Sequence, residues 1–488
     1  MNQNWLGSSV KPDDTAKALP LFVYLMGIGS AAMIIPAAHA LTLEDFDTSR
    51  IFFYGCILGS VFTFILSLAA RGHVPKSVPR SQLSSLLGAF LVLPALFAMP
   101  FQEAAGEPHF LNAWFEMVSC FTTTGATLYD DPLRLAPSVH LWRALVGWMG
   151  GLLVWVTAAA ILSPMNLGGF EVGSTAQVAG RLTQFAKHVG PSERLRRHAM
   201  RLAPIYVGLT ALLWIGLLMA GELPIVAISH AMSVLATSGI SPVGGVASGS
   251  SGLVGEALIF CFFIFAMSRL TFSRASSSGR QFGLLKDPEM AMAAWIIAVV
   301  AALLFFRHFI GAANYEGSAG GFMQALSTFW GGLFTAASFL STTGFESTSW
   351  QEASVWSNLQ PVGLMLVGLA LIGGGVATTA GGVKLLRSYA LYKHGQREIE
   401  RLIHPSSIGG AGAQARRIRR EGAYISWIFF MLFGLSVAGV MLMLSFTGVQ
   451  FETALVLAVS ALSTTGPLAS VAGEYPISYS GVPEAGRV

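Results

Sequence analysis

One tripeptide pattern, Thr-(Ser/Thr)-Gly, occurs four times in the chain and nowhere else: Thr123-Thr124-Gly125, Thr237-Ser238-Gly239, Thr342-Thr343-Gly344 and Thr464-Thr465-Gly466. Successive glycines fall 114, 105 and 122 residues apart. Each copy closes a short apolar run: Phe110–Phe121, Ile225–Ala236, Phe322–Leu340 and Phe451–Leu462. A fixed signature at a quasi-regular period is an internal repeat, so the chain is expected to build four related units around a shared interior.

The solvent of that fold follows from charge. The 488 residues are 53% hydrophobic and only 11% charged, with mean hydropathy +0.62, against about 25% charge in a soluble domain. Only a bilayer accommodates such a chain. Cys56, Cys120 and Cys261 lie far apart inside apolar runs, which fits neither a disulfide framework nor a metal site. The polar N-terminus and long first apolar run lack a cleavable leader pattern, so that run reads as a mature helix.

A spanning helix needs about 20 mostly apolar residues. Nine runs qualify: Leu19–Leu41, Ile51–Ala70, Leu83–Phe101, Leu141–Leu162, Ala203–Gly221, Leu253–Phe272, Ala291–Ile310, Val362–Leu386 and Tyr424–Phe446. Most of the runs that close at the tripeptides are too short to span and read as re-entrant, which is tolerated only where protein or a water-filled cavity covers the backbone. The expected architecture is an all-α polytopic membrane protein. It has an N-terminal helix pair (1–81) and four pseudo-symmetric helix–loop–helix repeats around one pore: 82–198, 199–288, 289–422 and an incomplete 423–488.

Alternating sides along the nine spans puts 24 of the 29 Lys and Arg residues on one side. By the positive-inside rule that side is cytoplasmic, so the N-terminus is inside and all four loops open outward. The outer loops lean acidic, with Asp130 and Asp131 among their residues. Ordinary solvated charge and mild cation attraction compete as explanations. Lys384–Glu421 carries nine basic and three acidic residues; it is either a flexible positive-inside loop or a docking surface for a soluble regulator.

A cation at bilayer depth loses its hydration at an idealised cost of tens of kcal/mol. Backbone carbonyls replace that water without fixed charge, and glycine permits the backbone that aligns them. A Thr or Ser hydroxyl adds an oxygen at the inner end, and a short helix aimed at the cavity brings about half a negative charge at its C-terminus. Potassium channels use four such loops around an axis; here four occur in one chain. Helix packing through small residues explains one copy, but not four in register.

The segments Phe121–Thr127, Ala236–Ser241, Ser341–Phe345 and Ser463–Pro467 resemble the Trk/Ktr/HKT superfamily of potassium uptake proteins, most closely the bacterial TrkH/TrkG type. The resemblance runs from about residue 19 to about 470. It implies that each tripeptide is one quarter of a selectivity filter for potassium as the transported ion. Glycine at all four positions goes with potassium preference in that family and serine in the first with sodium permeation, so Gly125 implies the potassium group. A second matching stretch, Gly373-Gly374-Gly375-Val376-Ala377-Thr378-Thr379-Ala380-Gly381-Gly382-Val383-Lys384, resembles the family's intramembrane gating loop. Glycines this dense should break a spanning helix over a cavity; close helix packing is the competing explanation. A nucleotide P-loop is excluded by the spacing to Lys384 and the lack of a following Ser or Thr. The resemblance further implies a bacterial inner-membrane location, a homodimer and a cytosolic RCK-type nucleotide-binding regulator. Beyond membrane lipid, no covalent cofactor and no nucleic acid is expected.

Glu116 and His230 each lie nine residues before their repeat glycine. They brace the loops by hydrogen bonds or relay protons. No nucleophile–base pair, metal-ligand spacing or redox motif indicates an enzyme. Four loops on one side argue against a secondary transporter built from inverted repeats. After Gly466 the family continues into a final spanning helix carrying an arginine below the filter. Ala469–Val488 is too short and too rich in Pro, Gly and Ser to span. The expectation is an outside C-terminus and either a truncated product or a partner that supplies the missing wall. A truncated, non-conducting subunit is the alternative function.

Overall fold

Every regular element among the described residues is a helix, the arrangement that pairs backbone polar groups internally in hydrocarbon. The structure, a computed structural model, describes residues 20–70, 78–163, 191–268, 287–311, 322–357, 362–404, 420–473 and 475–487.

The N-terminal pair comprises α1 (Leu21–Ala32) and α2 (Ile34–Thr42), which share one apolar run interrupted at Met33, and α3 (Phe46–Ala69). Asp45 starts α3 by accepting from the amide of Thr48 at 3.1 Å, the usual cap of an exposed helix N-terminus. Repeat one is α4 (Val78–Ala104), α5 (Phe110–Phe121) and α6 (Pro137–Thr157). Repeat two is α7 (Pro191–Met219), α8 (Pro224–Ala236), α9 (Gly252–Phe262) and α10 (Ile264–Met267). Repeat three is α11 (Pro288–Gly311), α12 (Phe322–Leu340), α13 (Trp350–Ser357), α14 (Gly363–Ile372) and α15 (Leu385–Ile403). Repeat four is α16 (Arg420–Phe446), α17 (Phe451–Leu462) and α18 (Leu468–Ala472), followed by a short helix, α19 (Glu484–Arg487).

Seven helices among the described residues are long and apolar enough to cross a membrane, and the chain is a multi-pass membrane protein. The other two expected spans differ in form. The Leu253–Phe272 run is α9 and α10 as far as Met267, and residues 269–272 lie outside the described residues. The Val362–Leu386 run is split, with α14 ending at Ile372 and α15 beginning at Leu385.

Burial orders the helices around an axis. The apolar stretch of α6 is 67% buried, while those of α3 and α16 are 11% buried. The first lies in the interior and the other two face outward, as an apolar helix can when its solvent is lipid. Each short helix packs against the span before it: α5 on α4, α8 on α7, α12 on α11 and α17 on α16. In addition α8 packs on α6, and α17 on α14. Each repeat is thereby wedged against its predecessor.

Candidate functional site

All four short helices end in the same way. The amide of the first tripeptide residue donates three residues back, at 3.0–3.3 Å: Thr123 to Cys120, Thr237 to Val234, Thr342 to Phe339 and Thr464 to Ala461. The next amide donates five residues back, at 2.8–2.9 Å: Thr124 to Ser119, Ser238 to Ser233, Thr343 to Ser338 and Thr465 to Ser460. These two bonds are the Schellman termination, whose C′ residue sits in the left-handed region and is usually Gly or Asn. Here it is threonine each time, with φ of 59°, 52°, 59° and 52°. A β-branched residue at positive φ is strained by ~1–3 kcal/mol and persists only where surrounding structure fixes it. Four identical strains in one chain mark a functional constraint.

Beyond these threonines the loops meet in cyclic order. A Cβ on Gly125 would collide with the carbonyl oxygen of Ser238, and one on Gly239 with that of Thr343. The carbonyl of Thr124 accepts from the amide of Gly466 at 2.6 Å. The second carbonyl of repeats one, two and three therefore abuts the glycine of repeats four, one and two. The pattern breaks once. Gly344 faces the ring of Pro467, 3.1 Å from where its Cβ would stand. Gly125, Gly239 and Gly344 have φ of 73°, 65° and 80°, whereas Gly466 is not in the left-handed region. Three loops share the left-handed glycine, and the fourth, in the repeat expected to be incomplete, departs from it.

A serine five residues before the second tripeptide position recurs in all four repeats and escaped the sequence reading. Ser119 Oγ donates to Ala126 O at 2.6 Å, and Ser338 Oγ accepts from the Phe345 amide at 2.7 Å. Both tie the helix to the residue just past the glycine. In repeat two, Ser233 Oγ accepts from Ser238 Oγ at 3.2 Å. In repeat four, Ser460 Oγ donates to Thr465 O at 2.8 Å. The signal was available as the longer pattern Ser-x-(Phe/Leu)-x-Thr-(Thr/Ser)-Gly. A second hydroxyl layer supports the middle residue: Thr122 with Thr124 at 2.8 Å, Ser341 with Thr343 at 3.0 Å, and Ser463 with Thr465 at 3.2 Å. Repeat two has Ala236 at that position, so Ser238 turns to Ser233 instead.

Behind the loops, buried polar side chains fix the chain leaving each glycine. Glu116 accepts from the Leu128 amide at 3.1 Å and pairs with Arg143 on α6 at 2.5 Å, both side chains being buried. His140 donates from Nε2 to Pro132 O and faces Arg143 with Nδ1. His230 Nε2 lies 2.8 Å from Ser241 Oγ. Thr335, at the matching place in repeat three, accepts from the Ser347 amide at 3.3 Å. Glu116 and His230 thus brace their loops. Glu256 on α9, not singled out in the sequence, accepts from Trp330 Nε1, Ser347 Oγ and the Thr348 amide at 2.8, 2.7 and 2.6 Å. It ties repeat two to repeat three, a partnership nearly a hundred residues apart that no local pattern announces.

The segment Gly373–Lys384 lies directly against the strained threonines. It leaves α14 at Gly373 (φ 70°) and rejoins helix after Gly382 (φ 76°). Its two ends are stitched by amides of Val383, Lys384 and Leu385 to carbonyls of Leu371, Ile372 and Gly374, each at 2.9 Å. Thr237 Oγ1 donates to Thr379 Oγ1 at 2.9 Å, and the Gly381 amide donates to Thr342 Oγ1 at 3.0 Å. A Cβ on Gly381 would fall 2.6 Å from Thr464 Oγ1. Three of the four threonine side chains thus meet one loop. Gly374 and Gly375 press on Ala266 and Met267, and Glu289 accepts from the Val376 amide at 3.1 Å. Thr378 O and Ala380 O accept from Lys384 Nζ.

Residues 257–470 match the model of the family described as TrkH, cation transport protein. The Trk system potassium uptake protein TrkH of Vibrio parahaemolyticus is 28% identical over 460 residues, covering 91% of this chain and 88% of that protein. The TrkH of Escherichia coli K12 is 28% identical over 451 residues, covering 90% and 87%. These matches support a resemblance to the Trk potassium uptake proteins over most of the chain. The Trk system potassium uptake protein TrkG of Escherichia coli K12 is 26% identical over 469 residues, covering 91% and 88%. The fold agrees: the crystal structure of the potassium transporter TrkH from Vibrio parahaemolyticus superimposes with a TM-score of 0.80 at 23% identity, covering 97% of this chain and 94% of that one. The family match takes in the third and fourth loops and Gly373–Lys384. The first two loops lie before it and are joined to the others by their shared geometry.

Proposed function

We propose that the chain takes up potassium across the bacterial inner membrane through the ring of its four loops. The observation that carries this reading is the cyclic abutment of Thr124 O, Ser238 O and Thr343 O on the glycines of neighbouring repeats. Four helix ends converge there, so carbonyl oxygens and helix dipoles share one axis, as replacing a cation's hydration requires. The relatives named as potassium uptake proteins supply the ion. In this reading residues 123–125, 237–239, 342–344 and 464–466 form the filter, and Gly373–Lys384 is the gating loop beneath it. Excess Lys and Arg on one side supports a cytoplasmic N-terminus. A homodimer and an RCK-type cytosolic regulator complete the assembly. Expression in a bacterium stripped of its own potassium uptake should restore growth at low external potassium; a correctly inserted protein without that effect would overturn the reading.

A second reading, a non-conducting membrane subunit, is favoured by one observation. Pro467 stands between Gly239 and Gly344, 2.7 and 3.1 Å from their would-be Cβ positions, so the fourth quarter crosses toward the ring centre. Potassium binding without flux would select it.

A further inference from the structure

The fourth loop differs from the others for a reason the residues make explicit. In repeat three the bracing serine accepts from the amide just past the glycine, Phe345 to Ser338. In repeat four that residue is Pro467, which has no N–H to give. Ser460 Oγ turns instead to Thr465 O at 2.8 Å and reaches Gly466 O at 3.4 Å. The two carbonyls that a filter quarter would present are thereby drawn back toward their own helix. The Gly466 amide, rather than a carbonyl, points at the neighbouring quarter, donating to Thr124 O.

A second donor completes the reversal. Tyr479 OH donates to Gly466 O at 2.9 Å and lies 2.5 Å from Ser460 Oγ. Its ring sits 6.1 Å from that of Phe115 on α5. Burial pushes the phenol well above its ordinary value, so the hydroxyl keeps its proton to donate. The segment around Tyr479 is itself anchored across the junction between repeats four and one. Ser478 Oγ and Ser480 Oγ donate to the Asp130 carboxylate at 2.7 and 2.8 Å. Arg487 reaches Asn112 Oδ1 on α5 at 3.1 Å and binds Val482 O and Ser480 O. The Ile477 amide donates to Ala469 O at 3.0 Å. Asp130, an unassigned loop charge in the sequence, is the anchor of this strap.

We propose that Tyr479 is a positioning residue of the conduction path: its hydroxyl holds the Gly466 carbonyl turned out of the ring, and the fourth quarter joins the path only when that bond breaks. The inference rests on the uptake reading above. It makes the 475–487 strap a competitor of the ion for the fourth-quarter carbonyls. Tyr479→Phe keeps the ring against Phe115 and removes only the donor. It should raise potassium uptake at limiting potassium by roughly fivefold, the population change that one neutral hydrogen bond of ~1 kcal/mol sets. The maximal rate should change less than the half-saturating concentration.

The test is rubidium uptake in the full chain expressed in potassium-uptake-deficient cells, with membrane abundance measured for every variant. A cysteine pair replacing Asp130 and Ser480 supplies a readout that mere folding would not move. Once oxidised, it should depress uptake, an external reductant should restore uptake, and Tyr479→Phe should abolish the depression. Crosslinking is read on a gel and needs no flux, so failure of the pair to crosslink overturns the strap. A parent that carries rubidium with the same half-saturation as Tyr479→Phe overturns this inference and leaves the uptake reading standing. A parent that carries rubidium and a Tyr479→Phe variant with a severalfold lower half-saturation support both. A crosslinked pair with parent and variant both silent overturns the uptake reading and this inference with it.

Discussion

Arg143 Nη2 lies 2.5 Å from Glu116 Oε1, an ion pair buried between α6 and α5 directly behind the first loop. Both side chains are almost wholly removed from solvent, so neither charge is tolerable without the other. Arg143→Leu should cost about 3–5 kcal/mol, the usual penalty for orphaning a buried charge. Glu116→Gln combined with Arg143→Leu should cost less than Arg143→Leu alone. Thermal unfolding of the detergent-solubilised protein reads both.

Gly125 has φ 73°, and its Cα faces the Ser238 carbonyl at a distance that admits no Cβ. Gly125→Ser must push the first and second quarters apart. Discrimination of potassium over sodium should fall by about tenfold, equivalent to ~1.4 kcal/mol of lost difference. Competition of each cation against rubidium uptake measures it, and equal discrimination in the variant would remove the role given to Gly125.

The bond from Thr237 Oγ1 to Thr379 Oγ1 fastens the Gly373–Lys384 loop to the second repeat. Thr379→Val keeps the shape and removes the hydroxyl. The loop should loosen and the maximal uptake rate should rise. A double-mutant cycle with Thr237→Val should give a coupling of about 0.5–1.5 kcal/mol in stability, as for a single hydrogen bond. A coupling of zero would show that the two hydroxyls act independently.

Glu222, in the turn between α7 and α8, feels two opposed influences. Burial pushes its carboxyl up, but hydrogen bonds from Ser250 and Ser251 outweigh it and leave it below its ordinary value. A lowered folded-state pKa stabilises the fold at neutral pH, and that contribution is lost as pH falls from the ordinary carboxylate value through the lowered one. Unfolding temperature should therefore drop on acidification through this window. The drop should be smaller for Glu222→Gln, which starts less stable and carries no titrating group there.

Much of this architecture is legible in the sequence because the repeat signature and the physical constraint coincide. Four apolar runs that close at one tripeptide locate four helix ends before any coordinates; the strained threonine at each Schellman C′ position is seen only in the structure. The glycines of Gly373–Lys384 likewise announce a broken span. The loop braces were legible only in part. Ser119, Ser233, Ser338 and Ser460 stood in register beside the tripeptides, but a lone serine in an apolar helix carries no signal until its neighbours are aligned. The partners of Glu256 and Asp130 could not be read, because they belong to other repeats and only the folded chain brings them together. The fourth repeat reads as incomplete in the sequence, but the part Pro467 plays in its loop does not, because the missing N–H matters only once the serine that needs it is known.

Rubidium flux into proteoliposomes holding the purified chain, competed in turn by potassium and by sodium, tests the central claim most directly. Potassium should suppress that uptake far more strongly than sodium, with Gly125→Ser bringing the two cations closer together. Folded protein whose liposomes take up no rubidium, in the parent and in Tyr479→Phe alike, would contradict that claim.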